Sequence, residues 1–203
     1  MAILNIAQII RTAALAAAVS AVSVVQASPI TYVHTGFGSG TLDGVSFGAL
    51  APVAFTINAA SDTDNVTSCG GSCFYNDNVT ASISIDGVGS FGFITATRYF
   101  ANVNIVGFSR AGAGGLDLFD GPVVGVWDML TSIGPVAGTG SLIQWDIGSG
   151  AVNTSGGVLF FNDGQSDSTF TATVGAANVP EPAPLALVAA ALIGLGLRRR
   201  SGT

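Results

Sequence analysis

The sequence contains no lysine, a single histidine and a single glutamate, and these shortages argue against most kinds of catalytic site. A phosphate-binding loop needs a lysine, and a zinc site needs several histidine or cysteine ligands. A serine triad needs a histidine base, for which His34 is the one candidate, and no Gly-x-Ser-x-Gly segment occurs. The residue types therefore predict a protein that is not an enzyme; a hydrolase that depends on His34 is the alternative.

Positive charge is scarce between the two ends of the chain. Residues 28–178 contain eleven aspartates but only two arginines, Arg98 and Arg110, which gives a net charge of −9. Domains that bind nucleic acid carry basic patches that neutralise phosphates, so we expect no nucleic-acid partner. The acidic charge is expected to keep the domain soluble by self-repulsion and to attract divalent cations.

The N-terminus has the composition of a secretory signal peptide. Arg11 and the free amine give a positive start, and residues 12–25 (TAALAAAVSAVSVV) form an apolar stretch of suitable length. Val25, Gln26 and Ala27 fit the small-x-small pattern of a cleavage site. An amphipathic first helix of the domain is the alternative, but residues 12–25 have no polar face. We therefore expect a signal helix over residues 1–27 that is removed after Ala27.

One long apolar run, residues 185–197 (LALVAAALIGLGL), stands close to the C-terminus and is followed by Arg198, Arg199 and Arg200. As a helix rising about 1.5 Å per residue, this run spans about 20 Å, whereas the apolar core of a bilayer is roughly 30 Å thick. We therefore expect a single short transmembrane helix that anchors the chain weakly. Because basic residues are retained on the cytoplasmic side, the three arginines are expected to stop transfer of the chain.

The residues before this helix are Val179, Pro180, Glu181 and Pro182, with a further proline at Pro184. The prolines fix an extended, non-helical entry that a protease can reach. A Pro-Glu-Pro segment, a short apolar helix and an arginine cluster, in this order, resemble the PEP-CTERM sorting signal. The resemblance covers about 25 of the 203 residues and accompanies a signal peptide at the other end.

This resemblance implies a substrate of exosortase, a membrane cysteine peptidase-transferase of Gram-negative bacteria. Val179 to Pro182 would then be the processing motif, and Arg198 to Arg200 would be the cytoplasmic retention signal. The chain would be anchored transiently in the inner membrane and then released or transferred to the cell surface, in association with exopolysaccharide or biofilm matrix. An ordinary single-pass C-terminal anchor is the alternative for residues 179–203.

The middle of the chain, residues 28–178, is rich in turn residues and β-branched residues and has no segment with a helical apolar stripe. It predicts an all-β domain, most simply a jelly-roll-like β-sandwich, with a barrel as the alternative. Trp127 and Trp145 are expected in the core, although a tryptophan can also stack on a sugar. The predicted strands are residues 31–37, 53–58, 79–85, 88–95, 99–108, 123–129, 141–147, 158–161 and 168–174.

Asp-Gly pairs occur four times in this middle region and predict hairpin turns, because a two-residue turn needs positive φ angles that glycine adopts easily. The clearest pair, Asp86-Gly87, follows the alternating stretch VTASISI of residues 79–85. The others begin at Asp43, Asp120 and Asp163.

The two cysteines, Cys69 and Cys73, are separated by Gly-Gly-Ser, which lets the backbone bend tightly. In an exported protein such a pair predicts a structural disulfide. A metal pair is the weaker alternative, since no other cysteine is available.

A second candidate site is the stretch Ser61-Asp62-Thr63-Asp64-Asn65, whose oxygen ligands alternate as in half of a calcium loop. Asp62, Asp64 and Asn65 are therefore weak candidates for binding Ca²⁺, and a solvated turn is the alternative. No other cofactor is expected. The overall prediction is a surface or matrix protein with a structural or adhesive role; the alternative is a carbohydrate- or calcium-binding surface module.

Overall fold

The computed structural model describes residues 27–112 and 116–176, and these residues form an all-β structure, as the sequence predicts. Two short 3₁₀ turns, Thr63–Asn65 and Ile147–Ser149, are the helical segments within these ranges. The strands in chain order are β1 (Pro29–Gly38), β2 (Gly40–Leu42), β3 (Val45–Phe47), β4 (Val53–Asp62), β5 (Val66–Gly70), β6 (Cys73–Asp77), β7 (Thr80–Ile85), β8 (Gly89–Gly92), β9 (Thr97–Asn102), β10 (Ile105–Arg110), β11 (Asp117–Val123), β12 (Ile133–Leu142), β13 (Val152–Thr154), β14 (Gly157–Phe161) and β15 (Gly164–Val174).

Eleven of these strands form one large antiparallel sheet, in the order β5-β6-β9-β10-β11-β12-β15-β1-β4-β7-β8. The other four form a small sheet in the order β13-β14-β2-β3. Buried and exposed residues alternate along strand β1 of the large sheet: Ile30, Tyr32 and His34 are buried, whereas Thr31 and Val33 are exposed. Because alternate residues point to opposite faces of a strand, one face of the sheet is buried and the other faces solvent.

The large sheet curls so that its apolar face packs against itself. Tyr32 of β1 stacks on Tyr99 of β9 at a ring-centroid distance of 4.5 Å, although four strands separate β1 from β9 in the sheet order. Phe93, which follows β8, lies 5.1 Å from Phe108 of β10 in the same way. An uncurled sheet could not bring these strands together, so burial of the aromatic side chains requires the curl.

The small sheet covers one end of this core. Phe161 of β14 lies 5.0 Å from Phe55 of β4 and 4.9 Å from Trp145, both measured between ring centroids. Phe47 of β3 contacts Phe161 edge-on at 5.3 Å. The two sheets therefore share one hydrophobic core.

Three predicted strands differ most from the observed ones. The predicted strand 99–108 is two strands, β9 and β10, because the chain turns at Val103, whose φ angle is +58°. The predicted strand 123–129 retains Val123 alone, at the end of β11, and 141–147 retains only the last two residues of β12. The predicted strands did not include β2, β3, β5, β6 or β13, which are short and owe their pairing to distant partners.

The four Asp-Gly pairs have different structural roles. Asp43 and Gly44 both have positive φ angles and join β2 to β3 in a two-residue hairpin, as predicted. Asp86-Gly87 also lies in a hairpin, but its loop runs from 86 to 88 and Asp86 does not have a positive φ angle. Asp120-Gly121 lies within β11 and is not a turn, so that prediction is wrong. Asp163-Gly164 lies where the chain passes from the small sheet to the large one, and therefore forms no hairpin.

Candidate functional site

The predicted sorting residues lie outside the described residues. These are Val179, Pro180, Glu181 and Pro182, together with Arg198, Arg199, Arg200 and the apolar run 185–197. The predicted signal helix also falls outside, apart from Ala27. In the part of the chain that the structure describes, no helix has the length and apolar character needed to cross a membrane.

The predicted disulfide between Cys69 and Cys73 is confirmed. It closes the tip of the β5–β6 hairpin, where Gly70 pairs with Cys73. Gly70 and Gly71 have φ angles of +100° and +59°, which glycine adopts without the steric cost that other residues incur. The glycines between the cysteines therefore form the turn, and the bond staples a hairpin at the edge of the large sheet.

The candidate calcium residues lie at the end of β4 and in the 3₁₀ turn after it. The Asn65 side-chain amide donates to the Ser61 hydroxyl at 3.3 Å, and the Asp62 carbonyl accepts from Asn76 at 3.1 Å. Thr63 is tied to Ser28 by two hydrogen bonds, one through its backbone amide and one through its hydroxyl. Internal hydrogen bonds thus shape this turn, and calcium binding by Asp62, Asp64 and Asn65 stays a prediction.

Beneath this turn lies a buried polar network that the sequence did not indicate. Asn76 is fully buried; its amide donates to the Tyr32 hydroxyl at 2.9 Å, and its carbonyl oxygen accepts from Ser61 at 2.7 Å. Burial raises the pKa of Tyr32, so its hydroxyl stays protonated. The network joins β1, β4 and β6 across the core, and its role is structural because water does not reach it.

His34, the one histidine of the chain, is 0% exposed. Its ring lies 4.3 Å from the ring of Phe119 and 5.4 Å from that of Phe170, and neither ring nitrogen has a hydrogen-bond partner among the described residues. Burial lowers its pKa to about 3, so the imidazole is neutral at physiological pH. A base so enclosed cannot contact a polysaccharide substrate.

Both tryptophans are buried, as predicted, with 6% of Trp127 and 1% of Trp145 exposed. Each indole nitrogen donates to a backbone carbonyl, Trp127 to Thr131 at 2.9 Å and Trp145 to Leu118 at 2.6 Å. Neither ring presents a face on which a sugar could stack. The sugar-stacking role that the sequence left open for them is therefore excluded by the packing.

Asp120 is a titratable residue that the sequence does not single out, because its Asp-Gly pair predicts a turn. It lies in β11, opposite Gly107, whose missing side chain leaves room for the Asp120 carboxyl group and the Phe100 ring. Its Oδ1 atom is buried without a hydrogen-bond partner among the described residues. Burial, with a smaller contribution from Asp117, raises the pKa of Asp120 to about 7.

Asp117 and Asp120 do not by themselves form a metal centre. Within residues 27–112 and 116–176, no group of three or more His, Cys, Asp or Glu side chains could hold a metal ion. Among the predicted sites, the C-terminal sorting segment is the one that comparison with known proteins addresses.

Comparison with known proteins gives one match. Residues 178–200 match the PEP-CTERM protein-sorting motif, which is the segment that the sequence analysis identified by its prolines, apolar run and arginines. No curated protein and no solved structure matches the chain. Such a sorting signal implies an exported protein that passes through a membrane and is displayed at the surface, with exosortase as its processing partner. The chain therefore carries a PEP-CTERM sorting motif at residues 178–200, consistent with an exosortase substrate.

Proposed function

We propose that this chain is a structural or adhesive protein of the cell surface or extracellular matrix of a Gram-negative bacterium, associated with exopolysaccharide. The observation that carries the proposal is the match of residues 178–200 to the PEP-CTERM sorting motif. A sorting signal specifies where a protein is sent, and the rest of the chain must then account for what the delivered protein does.

The proposed route follows from the order of the segments. The signal peptide, residues 1–27, directs export, and the helix at 185–197 holds the chain in the inner membrane while Arg198 to Arg200 remain in the cytoplasm. Exosortase then acts near Pro180–Pro182. The body that is released is the β domain of residues 28–178, which we propose to class as a jelly-roll-like sandwich made by one curled sheet.

Two properties of the described domain support export. The Cys69–Cys73 disulfide closes an exposed hairpin, and disulfides persist in oxidising compartments outside the cytoplasm. The eleven aspartates, opposed by two arginines, keep copies of the domain apart in solution. A secreted component that must remain soluble until it reaches its matrix benefits from both.

We propose no catalytic role for the domain and no role for tryptophan in sugar binding. His34 is enclosed by aromatic rings and neutral, so it cannot serve a substrate in solvent. Trp127 and Trp145 are buried in the same way. An association with polysaccharide must therefore use other residues.

The proposal is tested by intact-mass measurement and cell fractionation of the native protein. In a strain that has exosortase, we expect a mature species that runs from Ser28 to near Pro180 in the surface or extracellular fraction. In the same strain without exosortase, we expect a species that keeps Arg198 to Arg200 and fractionates with the inner membrane.

Substitution within the motif gives the matched test. Replacing Pro180, Glu181 and Pro182 together by alanine should block C-terminal processing, whereas Pro184→Ala, which changes the nearest proline outside the motif, should leave it intact. If the wild-type chain keeps its arginines in the inner membrane even when exosortase is present, the segment is an ordinary anchor and the proposal is wrong.

A further inference from the structure

The outer, polar face of five adjacent strands, β15, β1, β4, β7 and β8, carries an ordered array of hydroxyl groups. The register places Thr169, Thr35, Thr56, Ser84 and Ser90 side by side in one row across all five strands. Neighbouring strands lie about 4.8 Å apart, so the row repeats at that spacing. The hydroxyls of Thr35 and Thr169 are 2.6 Å apart and those of Ser84 and Ser90 are 2.7 Å apart, which fixes both ends of the row.

Two further rows lie beside the first. Thr171, Val33, Asn58 and Ser82 form the second row, by the same strand pairing. The third row is Thr173, Thr31, Ala60 and Thr80. We call these three rows the hydroxyl face. No residue in it is charged, although the domain carries eleven aspartates.

Two surface grooves lie on the hydroxyl face. One, of about 310 Å³, is lined by residues of the second and third rows, including Thr31, Asn58 and Ser82. The other, of about 580 Å³, is lined by Thr56, Ser84 and Ser90 of the first row together with the β7–β8 turn. The hydroxyl face therefore has grooves in which a polymer chain can bind beside the hydroxyl groups.

Charge restricts what this ligand can be. Asp62, Asp86 and Asp167 stand at the margins of the hydroxyl face, since Asp62 ends β4, Asp86 lies in the β7–β8 turn and Asp167 lies on β15 next to the first row. An anionic polymer would approach these carboxylates and a domain of net charge −9. A neutral polymer meets no such repulsion, and its hydroxyls can donate to the carboxylates at the margins.

Area argues against a second copy of the chain as the occupant. Five strands about 4.8 Å apart and six residues at about 3.3 Å each make a face of roughly 20 by 20 Å, or about 400 Å². A stable protein–protein interface buries about 800 Å² on each partner, twice that area. A long polymer does not need a large footprint on one protein, because many copies can bind along it.

We propose that the hydroxyl face binds a neutral polysaccharide, and the inference rests on the proposed function because it names the surface through which a matrix protein holds its matrix. Threonine side chains are stiff at χ1, so an array of them loses little entropy on binding. Each new hydrogen bond contributes only about 0.5–1.5 kcal/mol net, so single contacts are weak and the array supplies the affinity.

The test is affinity electrophoresis of the protein isolated from whichever cell fraction holds it, in native gels that contain dextran, mannan, galactan or hydroxyethylcellulose. We expect retardation by at least one of these neutral polymers and none by alginate, which is anionic. Since isolated protein is used, the binding result does not depend on sorting. It can therefore be interpreted even if the exosortase experiment fails.

Variants locate the surface. Asn58→Asp removes the amide donor at the centre of the hydroxyl face without changing side-chain size. A bound polymer would also cover the new carboxylate at a desolvation cost, so binding should weaken at least tenfold. Asn104→Asp adds the same charge in the β9–β10 turn and should stay within twofold of wild type. Thr56→Val removes one hydroxyl and should weaken binding two- to fivefold, with Thr67→Val on β5 as its control. Thermal unfolding checks that each variant folds.

Three results would overturn the proposal. The first is a mobility that none of the four neutral polymers changes. The second is an equal loss of binding in Asn104→Asp and Asn58→Asp. The third is a dimer in analytical ultracentrifugation that Asn58→Asp dissociates, which would assign the hydroxyl face to a second copy.

Discussion

His34 and Asp120 lie on opposite faces of the large sheet, and burial shifts the pKa of each towards its neutral form. His34 has a pKa of about 3 in the folded protein against 6.5 in the unfolded chain, so between these values the unfolded state binds more protons. Asp120 has a pKa of about 7 against 3.8, so between these values the folded state binds more protons. Acidification from pH 6.5 towards 4 therefore destabilises the fold through His34 and stabilises it through Asp120.

These opposing effects predict what single substitutions reveal. In His34→Leu the group that takes up a proton on unfolding is absent. Acidification from pH 6.5 to 4 should therefore lower the free energy of unfolding of the variant less than that of wild type, by a difference on the order of a few kcal/mol. Asp120→Asn should do the reverse and make the fold more acid-sensitive than wild type. Urea unfolding at several pH values measures both, and parallel pH profiles of wild type and His34→Leu would contradict the buried, neutral histidine.

At the scale of elements, two of the Asp-Gly pairs show when the local sequence determines why a glycine is needed and when distant residues determine it. Asp43-Gly44 forms a two-residue hairpin turn because both of its residues adopt the positive φ angles that such a turn needs. Gly121 also has a positive φ angle, of +97°, but it lies inside β11 where a Cβ atom would clash with the carbonyl oxygen of Thr139. A glycine is therefore required at position 121 by Thr139, its neighbour on β12. No local sequence pattern shows this requirement.

This difference predicts unequal effects of the same substitution. Gly121→Ala should destabilise the protein by about 3 kcal/mol, because alanine is strained at that φ angle and its Cβ meets the backbone of β12. Gly164→Ala, in the exposed Asp-Gly pair where β15 begins, has open space around its Cβ and should stay within about 0.5 kcal/mol of wild type. Chemical unfolding compares the two, and equal stabilities would show that β11 does not approach β12 as described.

At the scale of the whole molecule, net charge and the curl of the sheet set how the domain meets its surroundings. The curl removes most of the aromatic side chains from water and leaves a surface on which threonine, serine and aspartate accompany scattered exposed apolar side chains such as Leu50 and Val126. A net charge of −9 over residues 28–178 concentrates cations near this surface without specifying where they bind. Cation effects on stability are therefore expected to depend on ionic charge more than on ion identity.

This expectation separates a general charge effect from a calcium site. The turn that holds Asp62, Asp64 and Asn65 is already shaped by internal hydrogen bonds, so we expect CaCl₂ and MgCl₂ at equal concentration to raise Tm equally. Thermal unfolding measures this. A rise specific to calcium, and lost in Asp64→Asn, would instead establish the calcium loop that the sequence suggests.

Sequence alone determined the sorting motif, the all-β class and the Cys69–Cys73 disulfide of this protein. Each depends on residues close together in the chain: Pro180 to Pro182 with the following apolar run form a linear signal, period-2 alternation within β7 needs no distant partner, and Gly-Gly-Ser alone separates the two cysteines. Tertiary structure decided the rest. It placed Tyr32 on Tyr99, split residues 99–108 into two strands and aligned hydroxyls from five strands on one face. The physical reason is that pairing register and burial depend on residues far apart in the chain, whose contacts exist only once the sheet has curled.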